Sequence, residues 1–143
     1  MEDHSEKLKQ QIRMHEGVKH KVYLDTKGIS TIGVGRNLEG RGLSADEVDY
    51  LLGNDLDICV DELNKSFKWY AGLDDIRKRV LVDMAFNLGM PRLKGFVKML
   101  EEIKKENWSE AAIEMLESRW ADQVGNRASR LSEMMETGED YIG

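Results

Sequence analysis

The chain has 143 residues, 41% hydrophobic and 34% charged, with a formal net charge of −6; this excludes a disordered polymer and leaves room for one compact unit with a real core. A single cysteine, Cys59, excludes an intrachain disulfide and fits folding in a reducing compartment. No apolar run approaches the length of about 18 residues that a membrane helix needs, and the charged start MEDHSEKLKQQ is unlike a secretion signal, so neither a signal nor an anchor is expected.

The charge is unevenly placed. Up to Leu43 eight basic residues face six acids, whereas Ser44 to Leu63 holds seven acids and no base. The simplest reading of that acidic stretch is a solvated helix face, with a docking face as the alternative. No basic stripe with interleaved aromatics is present, so a nucleic-acid partner is not expected.

In chain order, Ser5 to Glu16 reads as a helix capped by Ser5 and stopped in a left-handed conformation at Gly17. Val18 to Asp25 alternates as a short strand, Thr26-Lys27-Gly28 turns the chain, and Ile29 to Gly35 returns it. A third short strand is expected near Arg36 to Leu38, before the loop Glu39-Gly40-Arg41-Gly42. Ser44 and Glu47 form a capping box that opens a helix of about twenty residues, with Val48, Leu51, Leu52, Leu56, Cys59 and Leu63 at helical spacing. Cys59 on that stripe reads as a buried structural thiol. The remainder is helical in pattern. Asp74 caps a run through Leu88 stopped by Gly89 and Pro91, Leu93 to Glu106 is a second run, Ser109 caps a third that reaches Trp120, and Asn126 opens a last one closed by Gly138. The fold class is α+β, a small hairpin or three-strand lobe joined by a long helix to a helical lobe. The expected organisation is one domain, with a β-lobe at 17–43, a connecting helix at 44–65, and a helical lobe from 1–16 and 66–143.

The stretch from Glu16 to Gly35 carries the chemistry. Glu16 and Asp25 stand nine residues apart and Thr31 follows six later, and a hairpin brings residues so spaced toward one side. Glycosidic cleavage needs one protonated carboxyl to assist the leaving oxygen and a second, ionised one to direct water or attack. Glu16 at a helix end suits the acid, Asp25 at a strand end suits its partner, and the Thr31 hydroxyl can hold a water between them. By spacing alone the match is weak, because the chain holds 27 acids. His4, His15 and His20 have no metal-ligand spacing, so neither a metal nor another cofactor is expected.

The block Glu16-Gly17, Tyr23, Asp25, Gly28, Thr31-Ile32-Gly33 and Gly35 resembles the phage-type lysozymes, the muramidases of tailed phages. Further landmarks follow in order: Leu73-Asp74, Phe86-Asn87-Leu88-Gly89, Gly95-Phe96, Trp108-Ser109-Glu110-Ala111-Ala112, Ser118-Arg119-Trp120, and Gln123 with Asn126-Arg127-Ala128 and Arg130. The similarity covers 8–138. It implies a lysozyme-like fold, with Glu16 as general acid, Asp25 as the carboxylate that directs attack and Thr31 as the residue that orients the water. Arg127 matches the family arginine that pairs with the catalytic glutamate, a guanidinium being able to fix a carboxylate by two hydrogen bonds. The resemblance places glycan contacts at Leu38, Gly35, Phe86 and Asn87. Trp108 and Trp120 read as core rather than as sugar platforms.

The resemblance implies an endolysin acting by inversion on the β-1,4 bond between N-acetylmuramic acid and N-acetylglucosamine of peptidoglycan. The expected protein is a monomer without stable membrane association, held in the host cytoplasm until a phage holin, or delivery within a virion, gives access to the periplasm and wall. A non-catalytic glycan- or partner-binding module on the same scaffold is the rival reading, and a transglycosylase outcome or the reverse bond specificity is a third. Two departures from the family matter: the loop Asn37 to Leu43 is short, and the net charge is acidic, which removes long-range attraction to anionic wall.

Overall fold

The computed structural model describes residues 5–141; His4, weighed above as a metal ligand, lies outside them. Among the described residues the elements are α1 (Glu6–Glu16), β1 (Lys19–Leu24), β2 (Ser30–Gly33), β3 (Arg36–Asn37), α2 (Ala45–Ser66), α3 (Asp75–Leu88), α4 (Met90–Lys94), α5 (Val97–Lys104), α6 (Trp108–Leu116), α7 (Arg119–Val124) and α8 (Asn126–Thr137). The fold is α+β. The chain divides into two compact units, one up to Leu51 and the other from Leu52, with the division inside α2. Helix α1 falls in the first unit, whereas the sequence groups 1–16 with the helical lobe.

In the first unit, Ser5 accepts the Leu8 N–H at 3.2 Å and so caps α1. Gly17 ends the helix by donating to the Arg13 carbonyl at 2.7 Å, but its φ of 79° and ψ of 168° are not the left-handed helical cap. They send the chain straight out into β1. The sheet has the order β1-β2-β3 and is antiparallel throughout. Tyr23 lies opposite Thr31, which in turn lies opposite Asn37, so Thr31 occupies the middle of the ladder and is buried. The capping box forms as the sequence predicts: Ser44 Oγ accepts the Glu47 N–H at 3.2 Å, and the Ser44 N–H donates to Glu47 Oε1 at 2.8 Å.

The same Glu47 carboxylate receives both terminal nitrogens of Arg36, at 2.7 and 2.6 Å, and Arg36 also donates to the Gly42 carbonyl at 3.0 Å. One guanidinium thereby ties β3, the loop after it and the first turn of α2 together. A forked pair of this kind fixes geometry as well as charge.

In the second unit the apolar core is built on Leu63, Val80, Leu81, Met84, Leu93, Met99, Ile103, Met115, Trp120 and Met135. Three helical runs of the sequence are cut differently. Pro91 does not stop a helix; it sits in the first turn of α4, where its missing N–H is not needed. The run from Leu93 breaks at Gly95-Phe96 into α4 and α5. The run from Ser109 starts one residue earlier, at Trp108 after Asn107, and breaks before Ser118, which caps α7 by accepting the Ala121 N–H at 3.2 Å. Cys59 is half-buried rather than buried, and burial, helped by Glu62 and Asp55, pushes its thiol up.

The end of α8 is fixed by a buried charge. Arg77 on α3 donates to the carbonyls of Met135 at 2.6 Å and Glu136 at 2.9 Å, pairs with Asp74 at 3.1 Å, and stacks 4.0 Å from the Trp108 ring centre. It thus supplies donors to carbonyls that the last turn of a helix leaves unpaired. Gly138 closes that turn in the left-handed conformation, and a Cβ there would come within 2.8 Å of the Arg77 guanidinium.

The Arg36–Glu47 pair makes a pH-dependent contribution. The Arg36 hydrogen bonds, with the Ser44 N–H, lower the Glu47 pKa from 4.5 to about 2. A carboxyl with a depressed folded pKa stabilises fully above its unfolded value and loses that contribution as pH falls through the folded value. Glu47→Gln keeps the capping box but not the charge. We expect it to lower the melting temperature at pH 7, and the difference from the parent to close between pH 4.5 and about 2 in a series of thermal melts.

Candidate active site

Asp25 follows the last residue of β1 and opens the turn to β2. Its Oδ1 accepts the backbone N–H of Lys27 at 2.8 Å and of Ile29 at 2.9 Å, while its own N–H donates to the Ile29 carbonyl at 2.9 Å. This is the local bonding that favours aspartate in tight turns. Gly28 completes the turn with φ 78° and an N–H bond to the Asp25 carbonyl at 2.9 Å. Both backbone donors bind the same carboxylate oxygen, so Oδ2 takes no part in the turn. The side chain is held in one orientation with a proton acceptor to spare.

Thr31 lies two residues beyond Ile29. Its hydroxyl donates to the Ile29 carbonyl at 2.8 Å. A hydroxyl has one hydrogen and two lone pairs, and here the hydrogen is spent. Thr31 can therefore serve a water only as an acceptor, which turns the water's own lone pair away from Thr31. Asp25 and Thr31 are thus set by the two ends of a single residue, Ile29.

Glu16 is the last residue of α1. Its side chain reaches the β2–β3 turn, where Oε2 lies 3.0 Å from the position a Cβ would take on Gly35. Gly35 has φ 70°, a conformation costly to any residue with a Cβ. The glycine is required twice there, for the turn and for the carboxylate seat. The family resemblance assigns Gly35 to glycan binding; in the structure the Glu16 carboxylate lies against it. Leu38 is half-buried, with its N–H bonded to the Ser30 carbonyl at 2.9 Å.

The second unit holds the remaining candidates. Arg127, in the first turn of α8, has Asp83 of α3 as its partner: Nε and Nη2 lie 2.8 and 2.6 Å from Asp83 Oδ1. Asp83 was not singled out from the sequence. The available signal was its place between Leu81 and Met84, where an acid flanks two fully buried core positions. Phe86 and Asn87 are exposed at the end of α3. The Asn87 carbonyl oxygen accepts the Trp120 indole N–H at 2.8 Å, so its amide NH2 is the part left to offer a ligand. Trp120 is 3% exposed and packs edge-on against Phe96; it is core. Trp108 lies under Arg77, and Trp69 stacks on Phe67 with ring centres 5.0 Å apart. Among the described residues no group of three or more His, Cys, Asp or Glu could hold a metal ion, and no helix is long and apolar enough to cross a membrane.

The family model described as phage lysozyme matches residues 13–135. "Probable T4-type lysozyme 2" of Dictyostelium discoideum is 30% identical over 160 residues, covering 92% of this chain and 94% of that protein. "Probable T4-type lysozyme 1" of the same organism is 28% identical with the same coverage. The pre-baseplate central spike protein Gp5 of Enterobacteria phage T4 is 27% identical across 92% of this chain, a match to 28% of its own length. These alignments run over 160 positions while taking in 92% of a 143-residue chain, so the relatives carry residues that this chain lacks.

Two outcomes follow from the local geometry. Asp25→Asn retains an oxygen for the Lys27 and Ile29 amides, whereas Asp25→Ala does not; hydrogen exchange at those two amides is expected to stay slow in the first and rise in the second. Gly35→Ala forces a left-handed conformation that costs a side-chain-bearing residue about 1–2 kcal/mol, and denaturant unfolding of the first unit should show a loss of at least that size.

Proposed function

This chain belongs to the phage lysozyme family, and from that premise we propose that it is a muramidase endolysin, hydrolysing the β-1,4 bond between N-acetylmuramic acid and N-acetylglucosamine of bacterial peptidoglycan. The observation that carries the reading is the division of labour around Ile29. One oxygen of Asp25 is pinned, the other is open, and the neighbouring Thr31 hydroxyl is left as an acceptor. That is what is needed to hold a water and take its proton.

The Glu16 carboxyl gives its proton to the glycosidic oxygen as the bond from that oxygen to the anomeric carbon breaks. The water, accepted by Thr31, attacks the anomeric carbon from the opposite face and passes a proton to Asp25 Oδ2. The products are a free hydroxyl on the leaving sugar and an inverted hemiacetal on the other. Glu16 regains a proton from solvent and Asp25 releases one. Arg127 is the supporting cation that the family resemblance assigns to Glu16, and Leu38, Phe86 and Asn87 are the glycan contacts.

The test is clearing of outer-membrane-permeabilised cells together with release of reducing ends. Glu16→Gln and Asp25→Ala should each slow both by about a hundredfold or more, the usual weight of a general acid or base. Clearance at the parent's rate by either variant would remove the assignment. Parent protein that binds wall and releases no reducing ends would mark a binding module, and anhydro products would mark a transglycosylase.

A further inference from the structure

The loop after β3 reaches back to the residue between Ile29 and Thr31. Asn37 holds that loop from within: its side-chain oxygen accepts the Gly40 N–H at 2.8 Å and its carbonyl accepts those of Arg41 and Gly42 at 3.1 Å. Arg36 fixes the far end through the Gly42 carbonyl. A loop held at both ends presents Glu39 in one place, and Glu39 Oε2 accepts the Ser30 N–H at 2.6 Å. On the same peptide segment the Ser30 carbonyl accepts the Leu38 N–H at 2.9 Å. The short strand β3 ends at Asn37, so the carboxylate fills a ladder position that no strand residue supplies.

We propose that Glu39 is a positioning residue for Asp25 and Thr31, acting through Ser30. Ile29 sets both catalytic side chains, by its N–H to Asp25 and its carbonyl to Thr31. The Ser30 N–H and the Ile29 carbonyl are the two ends of one peptide plane, so rotation of that plane moves the carbonyl to which Thr31 is bonded. A charge-assisted bond to the Ser30 N–H restrains that rotation, and small displacements of catalytic groups cost rate steeply. The inference rests on the muramidase reading above and adds to it a residue that touches neither substrate nor the reacting atoms.

The experiment compares the parent, Glu39→Ala and Glu39→Gln on a soluble peptidoglycan fragment, with Glu16→Gln as the inactive reference. Glutamine keeps an oxygen for the Ser30 N–H and alanine does not. Glu39→Ala is expected to lower kcat about fivefold with KM within about twofold, while Glu39→Gln stays within about twofold of the parent in both. The Ser30 amide proton resonance should move upfield in Glu39→Ala and by clearly less in Glu39→Gln, whose neutral oxygen is the weaker acceptor. An unchanged kcat in Glu39→Ala overturns the proposal, as does a loss confined to KM, a glutamine variant as impaired as alanine, or an unmoved Ser30 amide. A parent that releases no reducing ends overturns the muramidase reading and this one with it, whereas an active parent with an indifferent Glu39→Ala overturns this one alone.

Discussion

The first unit is arranged around the two ends of one peptide-linked residue. Ile29 gives its N–H to the Asp25 carboxylate and its carbonyl to the Thr31 hydroxyl. Backbone groups have fixed geometry and cannot change rotamer, so side chains bonded to them inherit that rigidity. It is an economical way to orient two polar groups in a unit of about fifty residues, where little core exists to hold them by packing. Among the described residues the buried hydrophobic core begins only at Leu63.

Polar bonding takes the place of that core elsewhere in the first unit. Arg36 joins the last strand to the first turn of α2 through Glu47, which is itself half of the capping box. The carboxylate is thereby used twice, once for the helix terminus and once for the guanidinium. In the second unit the order is reversed. Methionine, leucine and tryptophan side chains fill the interior, and two arginines complete the joints between helices: Arg77 at the end of α8, and Arg127 at its start against Asp83. Arg77 is nearly enclosed and has a partner for each of its three nitrogens, the condition under which a buried charge is tolerated.

The aligned relatives contain residues that this chain lacks, and the chain spends few residues on connections. The loop from Leu38 to Ser44 is short, yet Asn37, Arg36 and Glu39 each bond within it or across it. A short loop has little entropy to lose on being ordered, which suits one that braces a strand.

By itself the sequence determined what short-range physics decides. The Ser5 cap, the Ser44–Glu47 box, the Asp74 cap, the Asp25 turn and the three-strand hairpin all rest on bonds between residues within a few positions of one another, and each was legible as spacing. The family block from Glu16 to Gly35 was legible for the same reason, because turn glycines and strand residues fix one another locally. Only the tertiary structure decided where helical runs break, since buried positions continue on both sides of each break: Leu93 and Met99 about Gly95-Phe96, Met115 and Trp120 about Glu117-Ser118. It also decided the partners of long side chains. Arg127 bonds Asp83 across 44 positions and Arg77 reaches Met135 across 58; no local pattern selects one acid or carbonyl from many at such distance. Glu39 falls between these cases, nine residues from Ser30, near enough to meet it but only because the turn of β3 points it there.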